Sequence, residues 1–279
     1  MSDQQLARAD VMVAVMARQI ADGDLVGVGL GTPLAVAAAL LARATSAPDA
    51  HVLVGGAMDP DADLATVLAG SRAVLRRTPG FVSHLDSMDM AERQAMTLQF
   101  LRPAEVDGRG NLNTSRIGPA AAPAVRFPGG LATGDVPALL PRVVAYLPRH
   151  RRRNLPPRVS CVTGAAAGWD ADRFRARGVT LLVTDLAVIA FDERGATLRS
   201  VHPGVEVAAV LDATGFTIAV GDDVEVTPGP DALERAALAR IDPDGVRARE
   251  LRARPTTTDS DRGAPVDERS PQASTRSGS

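Results

Sequence analysis

The chain has 279 residues, 45% of them hydrophobic but only 3% aromatic, so alanine, valine and leucine must fill whatever core it builds. That length holds one large α/β domain or two small ones. All 31 basic residues are arginine, against 33 acidic ones; the lack of lysine excludes a Schiff-base amine and a Walker-type phosphate lysine, and a net charge of -2 gives no reason to expect nucleic acid or a membrane as partner.

Leu6, Ala9, Val13, Met16 and Ile20 recur at helical spacing, which predicts an amphipathic helix over 4–21, closed by Asp22-Gly23-Asp24. Leu25-Val26-Gly27-Val28 is a short apolar strand that breaks into Gly29-Leu30-Gly31-Thr32-Pro33. Thr32 suits the cap of a following helix and Pro33 its first turn, where no amide donor is needed. That helix runs to about Ala44, and His51 to Val54 forms the next strand, ending in Gly55-Gly56. The β-loop-α-β rhythm argues for a parallel sheet with its loops at the carboxyl ends of the strands, where α/β ligands bind. Residues 96–101, 143–147, 159–163, 180–184 and 188–191 read as further strands, and Asp192-Glu193-Arg194-Gly195 as the turn of a hairpin over 188–201. A short helix is expected over 205–211 and a longer one over 231–241. From about Arg254 almost nothing is left to bury, so 254–279 reads as a disordered tail and 1–253 as a single domain.

Few residues stand out as chemistry. Gly29 and Gly31 can bring backbone amides to a ligand, or only make a tight β-to-α turn. Gly55 and Gly56 carry the same ambiguity. The segment Ala104-Glu105-Val106-Asp107-Gly108-Arg109-Gly110-Asn111-Leu112-Asn113 is dense in polar groups; Asn111 and Asn113 can present amides to a ligand or partner, or bond their own backbone. Gly129 and Gly130 lie in a flexible loop. Arg149-His150-Arg151-Arg152-Arg153 is the one concentrated charge run, with no aromatic interleaving, and reads as a solvated edge or a subunit-contact loop, or else as a contact for the phosphates of a ligand. Cys161 is the only cysteine, which suits the reducing cytoplasm, and its apolar neighbours suggest an inert thiol in a buried strand. The four histidines are scattered, so no metal site is expected.

Taken in order, these segments resemble the small (β) subunit of the class I coenzyme A-transferases, of the glutaconate CoA-transferase type, over residues 4 to about 250. The family's Val-Gly-x-Gly-x-Pro loop is matched by Val28 to Pro33, and its Ala-Gln-Ile-Asp-x-x-Gly-Asn-x-Asn segment by Ala104 to Asn113, with Glu105 at the glutamine position. Thr114, Ser115, Ile117 and Gly118 continue that match. Arg149 to Arg153, Val162-Thr163-Gly164 with Gly168-Trp169, Val183-Thr184-Asp185 with Phe191-Asp192, His202-Pro203-Gly204-Val205, Asp212 to Phe216 and Ile241-Asp242-Pro243 follow. The resemblance implies one α/β domain with a parallel-rich sheet flanked by helices, a homologous α subunit as partner, and an acyl-CoA thioester as substrate rather than any bound cofactor. It also implies that Gly29, Gly31, Gly55, Gly56, Asn111, Asn113, Gly129 and Gly130 bind substrate or coenzyme A at the subunit interface.

The departures fall on the chemistry. In the family, the strand that matches His51 to Val54 ends in Glu-Ser-Gly, and that glutamate attacks the thioester; here only Gly55-Gly56 remains. The loop expected to read Gly-Gly-Ala-Asn-Asp reads Gly129-Gly130-Leu131-Ala132-Thr133. Within this chain Glu105 is the acid best placed to act in catalysis, or else it is a surface glutamate paired with an arginine. The resemblance thus implies a β subunit of a CoA-transferase-like enzyme. The alternatives are a subunit of a ring-opening CoA-thioester hydrolase, whose small subunit also lacks the glutamate, and a non-catalytic structural subunit.

Overall fold

A computed structural model describes residues 3–29, 31–70, 72–165 and 178–252. The expected tail and the Gly168-Trp169 match lie outside the described residues. In chain order the elements are α1 (Asp3–Ala17), β1 (Leu25–Val28), α2 (Pro33–Ala44), β2 (His51–Val54), β3 (Ala57–Met58), α3 (Leu64–Leu68), α4 (Arg72–Leu75), β4 (Gly80–Phe81), α5 (His84–Glu92) and β5 (Leu98–Leu101). Four short strands follow: β6 (Glu105–Val106), β7 (Leu112–Asn113), β8 (Arg116–Ile117) and β9 (Val125–Arg126). The chain continues through α6 (Val136–Leu139), β10 (Arg142–Leu147), β11 (Val179–Thr184), β12 (Ala187–Asp192), β13 (Gly195–Val201), α7 (Val207–Asp212), β14 (Ala219–Val226), α8 (Ala232–Ile241) and a 3-10 helix, Val246–Leu251.

Ten strands form one sheet in the order β14-β13-β12-β11-β10-β5-β1-β2-β3-β4. Its centre, from β2 through β1, β5 and β10 to β11, is wholly parallel, while antiparallel pairs extend it at both flanks. The fold is therefore the expected α/β domain with a parallel-rich sheet and helices against it. β6 with β7 and β8 with β9 make two separate ladders.

Two apolar cores lie against the sheet. One joins α1, α2, α8 and the 3-10 helix to β1, β2 and β5; the other gathers Met96, Leu112, Val136, Leu140, Leu155 and Val210. Helix α1 differs from the amphipathic expectation, because every residue from Val11 to Ala17 is buried. That half is hemmed in by α2, the 3-10 helix and β11 and has no face left for solvent, whereas Asp3, Gln4 and Ala7 in the first half are exposed. Thr32 takes the cap position of α2 but does not cap with its side chain; its hydroxyl donates to the Gly29 carbonyl instead. The strand expected over 159–163 is absent. Pro156 and Pro157 remove two amide donors just upstream, and no ladder forms: Ser160 bonds Glu105, the Thr163 amide donates to the Leu112 carbonyl at 2.8 Å, and an isolated Leu112–Gly164 bridge follows. Cys161 is consequently half-buried in a loop rather than sealed in a strand.

A buried polar network fastens the antiparallel flank. The His150 ring bonds the hydroxyls of Thr184 and Thr214, each at 2.9 Å. His202 Nε2 donates to the Thr184 carbonyl at 2.8 Å, and its Nδ1 bonds the Thr227 hydroxyl at 3.0 Å. Burial holds both imidazoles neutral, with pKa values lowered to about 4. The unfolded chain takes up protons as the pH falls through about 6.5, whereas the folded chain does so only near 4. Stability is therefore complete above about pH 6.5 and is lost between there and about pH 4, by roughly 2–3 kcal/mol per imidazole. Urea denaturation should show a lower midpoint at about pH 5 than at about pH 7, and changing His202 to Asn should shrink that difference. Equal midpoints at the two pH values would refute the assignment.

Candidate functional site

The sheet's carboxyl edge holds a cleft of about 390 Å³, lined by residues from β1, β2, β4, α5, β5 and the loop before α6. Its floor is where β2 ends. Val54 pairs with Ala57, so Gly55-Gly56 is a two-residue hairpin turn, with φ of 55° and 93°. Tight hairpin turns of this kind demand positive φ at both central residues, which glycine adopts without strain. A second constraint acts at Gly56, where an added Cβ would lie 2.6 Å from Phe81 Cζ and 2.9 Å from the Val82 carbonyl oxygen. Gly56 therefore leaves no room for a side chain.

The polar inventory of the cleft is short. His84 is its one ionisable side chain among the described lining residues, Ser87 its one hydroxyl and Gln99 its one amide. Ser83 caps α5, accepting from the Asp86 amide, and so fixes where His84 starts the helix. Gln99 lies across β1 above Gly27, where any Cβ would collide with its amide. Leu131 and Ala132, on the opposite rim, have φ of 31° and 68°, a left-handed geometry that costs a non-glycine residue about 1–2 kcal/mol each. No carboxylate, arginine or cysteine lines the cleft among the described residues, and they contain no cluster of acidic, cysteine or histidine side chains able to hold a metal.

The structure brings together only part of the expected site. Gly55 and Gly56 line the cleft. Gly29 follows Val28, which pairs with Val54, so it sits beside Gly55; Gly31 has φ of 72° in the turn into α2. Gly129 and Gly130 lead into the lining residues Leu131 and Ala132. Glu105 and Asn113 pair in the β6–β7 ladder, Asn111 lies just before β7, and none of the three lines the cleft. Asn111 donates to both Asp107 carboxylate oxygens, and Asn113 is fully buried, donating to Glu105 and to the Arg116 carbonyl. Glu105 is not the arginine-paired surface group considered above. It is buried, and accepts from the Ser160 amide at 2.7 Å, the Ser160 hydroxyl at 3.0 Å and Asn113 at 2.7 Å. The run from Arg149 to Arg153 divides: His150 is buried, Arg149 and Arg152 bond the Leu251 and Asp212 carbonyls, and Arg151 to Arg153 face solvent. Sequence reasoning missed Phe81, His84, Ser87 and Gln99; a glycine inside β1 was the one available signal, since it marks a close approach to its backbone.

Two outcomes follow. Glu105→Gln should cost less than about 1 kcal/mol, because one amide oxygen can accept both N–H donors while the Ser160 hydroxyl turns to accept; Glu105→Ala should cost about 2–3 kcal/mol by orphaning them. Gly56→Ala should cost about 2 kcal/mol or more through its φ and the Phe81 contact. Chemical denaturation checks all three variants, and a neutral Glu105→Ala would contradict the bonding described.

Residues 10–213 match the family model of the coenzyme A transferases. The crystal structure of the decarboxylase AibA/AibB aligns at a TM-score of 0.77, with 34% identity, over 87% of this chain and 97% of that one. The cholesterol ring-cleaving hydrolase IpdB subunit of Mycobacterium tuberculosis is 29% identical over 88% of this chain and 99% of its own length. One of the subunits of the glutaconate CoA-transferase of Acidaminococcus fermentans is 26% identical, over 84% of this chain and 92% of its own length.

Proposed function

The chain belongs to the coenzyme A transferase family, and on that premise we propose that it is the β subunit of a heteromeric enzyme acting on acyl-CoA thioesters. The observation that carries the reading is a cleft at the sheet's carboxyl edge that ends on Gly55-Gly56 and has no carboxylate along its described lining. Acyl transfer through an enzyme-bound anhydride needs a carboxylate at the thioester, and a glycine turn supplies none. A homologous α subunit closing the open side of the cleft is the natural source of the missing acid. The relatives named as subunits, of glutaconate CoA-transferase and of the ring-cleaving hydrolase, support the two-chain arrangement.

A second reading is a subunit of a ring-opening hydrolase that cleaves a C–C bond of a CoA thioester. The same missing carboxylate favours it, because hydrolysis can use water and requires no acyl-enzyme on this chain, and the ring-cleaving relative aligns over nearly its whole length. Loss of the nucleophile without replacement would leave a structural subunit, the third reading. Both catalytic versions take the CoA thioester as substrate and call for no further cofactor. A single cysteine, and no described helix long and apolar enough to cross a membrane, fit a cytoplasmic setting.

Expressed alone, the chain should neither transfer coenzyme A nor hydrolyse a thioester, while co-expression with the homologous α subunit should yield a stable complex with activity. Thiol release, transfer to acetate and hydrolytic C–C cleavage of a cyclic acyl-CoA thioester, assayed on both preparations, decide this. Turnover by the single chain at the rate of the complex would sink the proposal, and an inert complex would favour the structural subunit.

A further inference from the structure

The geometry points to Phe81 as the residue that sets acyl-group specificity in the cleft, favouring an apolar acyl group and rejecting one that ends in a carboxylate. The inference rests on the acyl-CoA reading above and names the substrate class within it.

Phe81 and Gly56 are a matched pair. The ring stands where a side chain at the end of β2 would project, with Cζ 2.6 Å and Cε2 2.7 Å from the position of an added Cβ. Backbone pairing holds it there: Phe81 pairs with Ala57 across β3 and β4, and the Val82 amide donates to the Gly56 carbonyl at 2.7 Å. Although held so firmly, Phe81 is 64% exposed and lines the cleft. An aromatic ring fixed against a glycine and left open to a cleft gains most when a ligand covers it.

The rest of the wall decides what can do so. Leu53, Met88, Met96 and Leu131 are apolar, and the two thioethers adapt to ligand shape. His84, Ser87 and Gln99 supply hydrogen bonds but no fixed charge. A nucleotide or pyrophosphate entering here would find no arginine, and the chain has no lysine to offer, so of the two ends of a CoA thioester the cleft suits the acyl end. A terminal carboxylate on that acyl group would lose its hydration with no arginine or lysine of this chain's described lining to replace it. At about 390 Å³ the space falls within the range of small-ligand sites.

The test is isothermal titration of the assembled two-subunit protein with coenzyme A, hexanoyl-CoA and adipyl-CoA, the two thioesters differing in the terminal carboxylate. Hexanoyl-CoA is expected to bind at least about tenfold more tightly than adipyl-CoA, and Phe81→Ala to weaken hexanoyl-CoA about tenfold while leaving coenzyme A itself unchanged. Phe81→Leu keeps an apolar side chain on Gly56 and should lose less than about threefold, which separates lost contact from misfolding. Equal affinity for the two thioesters, or wild-type hexanoyl-CoA binding by Phe81→Ala, overturns the inference and leaves the acyl-CoA reading standing. Failure to bind any of the three overturns that reading and the inference together. If Phe81→Ala instead separates the two subunits, the ring is a contact between chains and the inference also falls.

Discussion

One buried carboxylate ties the carboxyl-terminal end of the domain to the strand edge where the cleft forms. Glu250, in the last described element, has a side chain only 4% exposed. It accepts from the Leu34 amide in the first turn of α2 at 2.8 Å, from Arg102 just after β5 at 2.8 Å, and from the Tyr146 hydroxyl on β10 at 3.3 Å. Thr32 does not cap α2 with its side chain, so this distant glutamate supplies the acceptor that the helix start lacks. Burial pushes the Glu250 carboxyl above its ordinary value while Arg102 and the Leu34 amide pull it back. Burial, reinforced by the neighbouring glutamate, pushes the fully buried Tyr146 well up. Two strand ends and one helix start are thereby held in register by a group more than two hundred residues along the chain from that helix. The turn that carries Gly29 and Gly31 leads straight into that first turn of α2, so its position depends on the same contact.

Filling the start of α2 from within has a chemical consequence. A helix start after a glycine loop is a ready anion site when its amides are free. Here the Leu34 amide is already taken, and by a negative charge. The Leu34 amide beside the glycine loop is therefore not free for a phosphate. The cleft beside it lacks arginine as well, so its character is neutral along its described lining. Arg151, Arg152 and Arg153 lie exposed beyond β10, where they leave that neutrality undisturbed.

Much of the fold was legible because the strong signals were local. The strands at 25–28 and 51–54, the α2 boundaries and the 188–201 hairpin all follow from apolar runs and turn residues, and the structure places them there within a residue or two. Where the reading failed, long-range pairing decided the outcome. β14 contains Asp222, Asp223 and Glu225, and its residues are mostly exposed, so its pattern is that of a polar loop; it is a strand only because β13 offers it an edge. The 159–163 segment shows the reverse: apolar enough for a strand, but denied a neighbour after two prolines. Helix α8 falls on its expected span, and Asp231 and Glu234 bond each other's amides at its start in a capping box.

The site was harder to read, and for a physical reason. Gly55-Gly56 declared a positive-φ turn, because few other residues fit one, and that turn is the cleft floor. Glu105 drew notice because it is an acid at a resembled position, yet charge in a sequence says nothing of what satisfies it; three donors from Ser160 and Asn113 occupy it. Phe81 drew none, since a phenylalanine in sequence is presumed core. Only the structure reveals that its ring occupies the space left by the absent side chain at Gly56. The missing carboxylate and the exposed ring are then two aspects of one local arrangement: a side chain at Gly56 and a ring at Phe81 compete for the same volume. A chain that keeps the ring there cannot also project a side chain from Gly56, and the polar side chains left along the cleft's described lining are His84, Ser87 and Gln99.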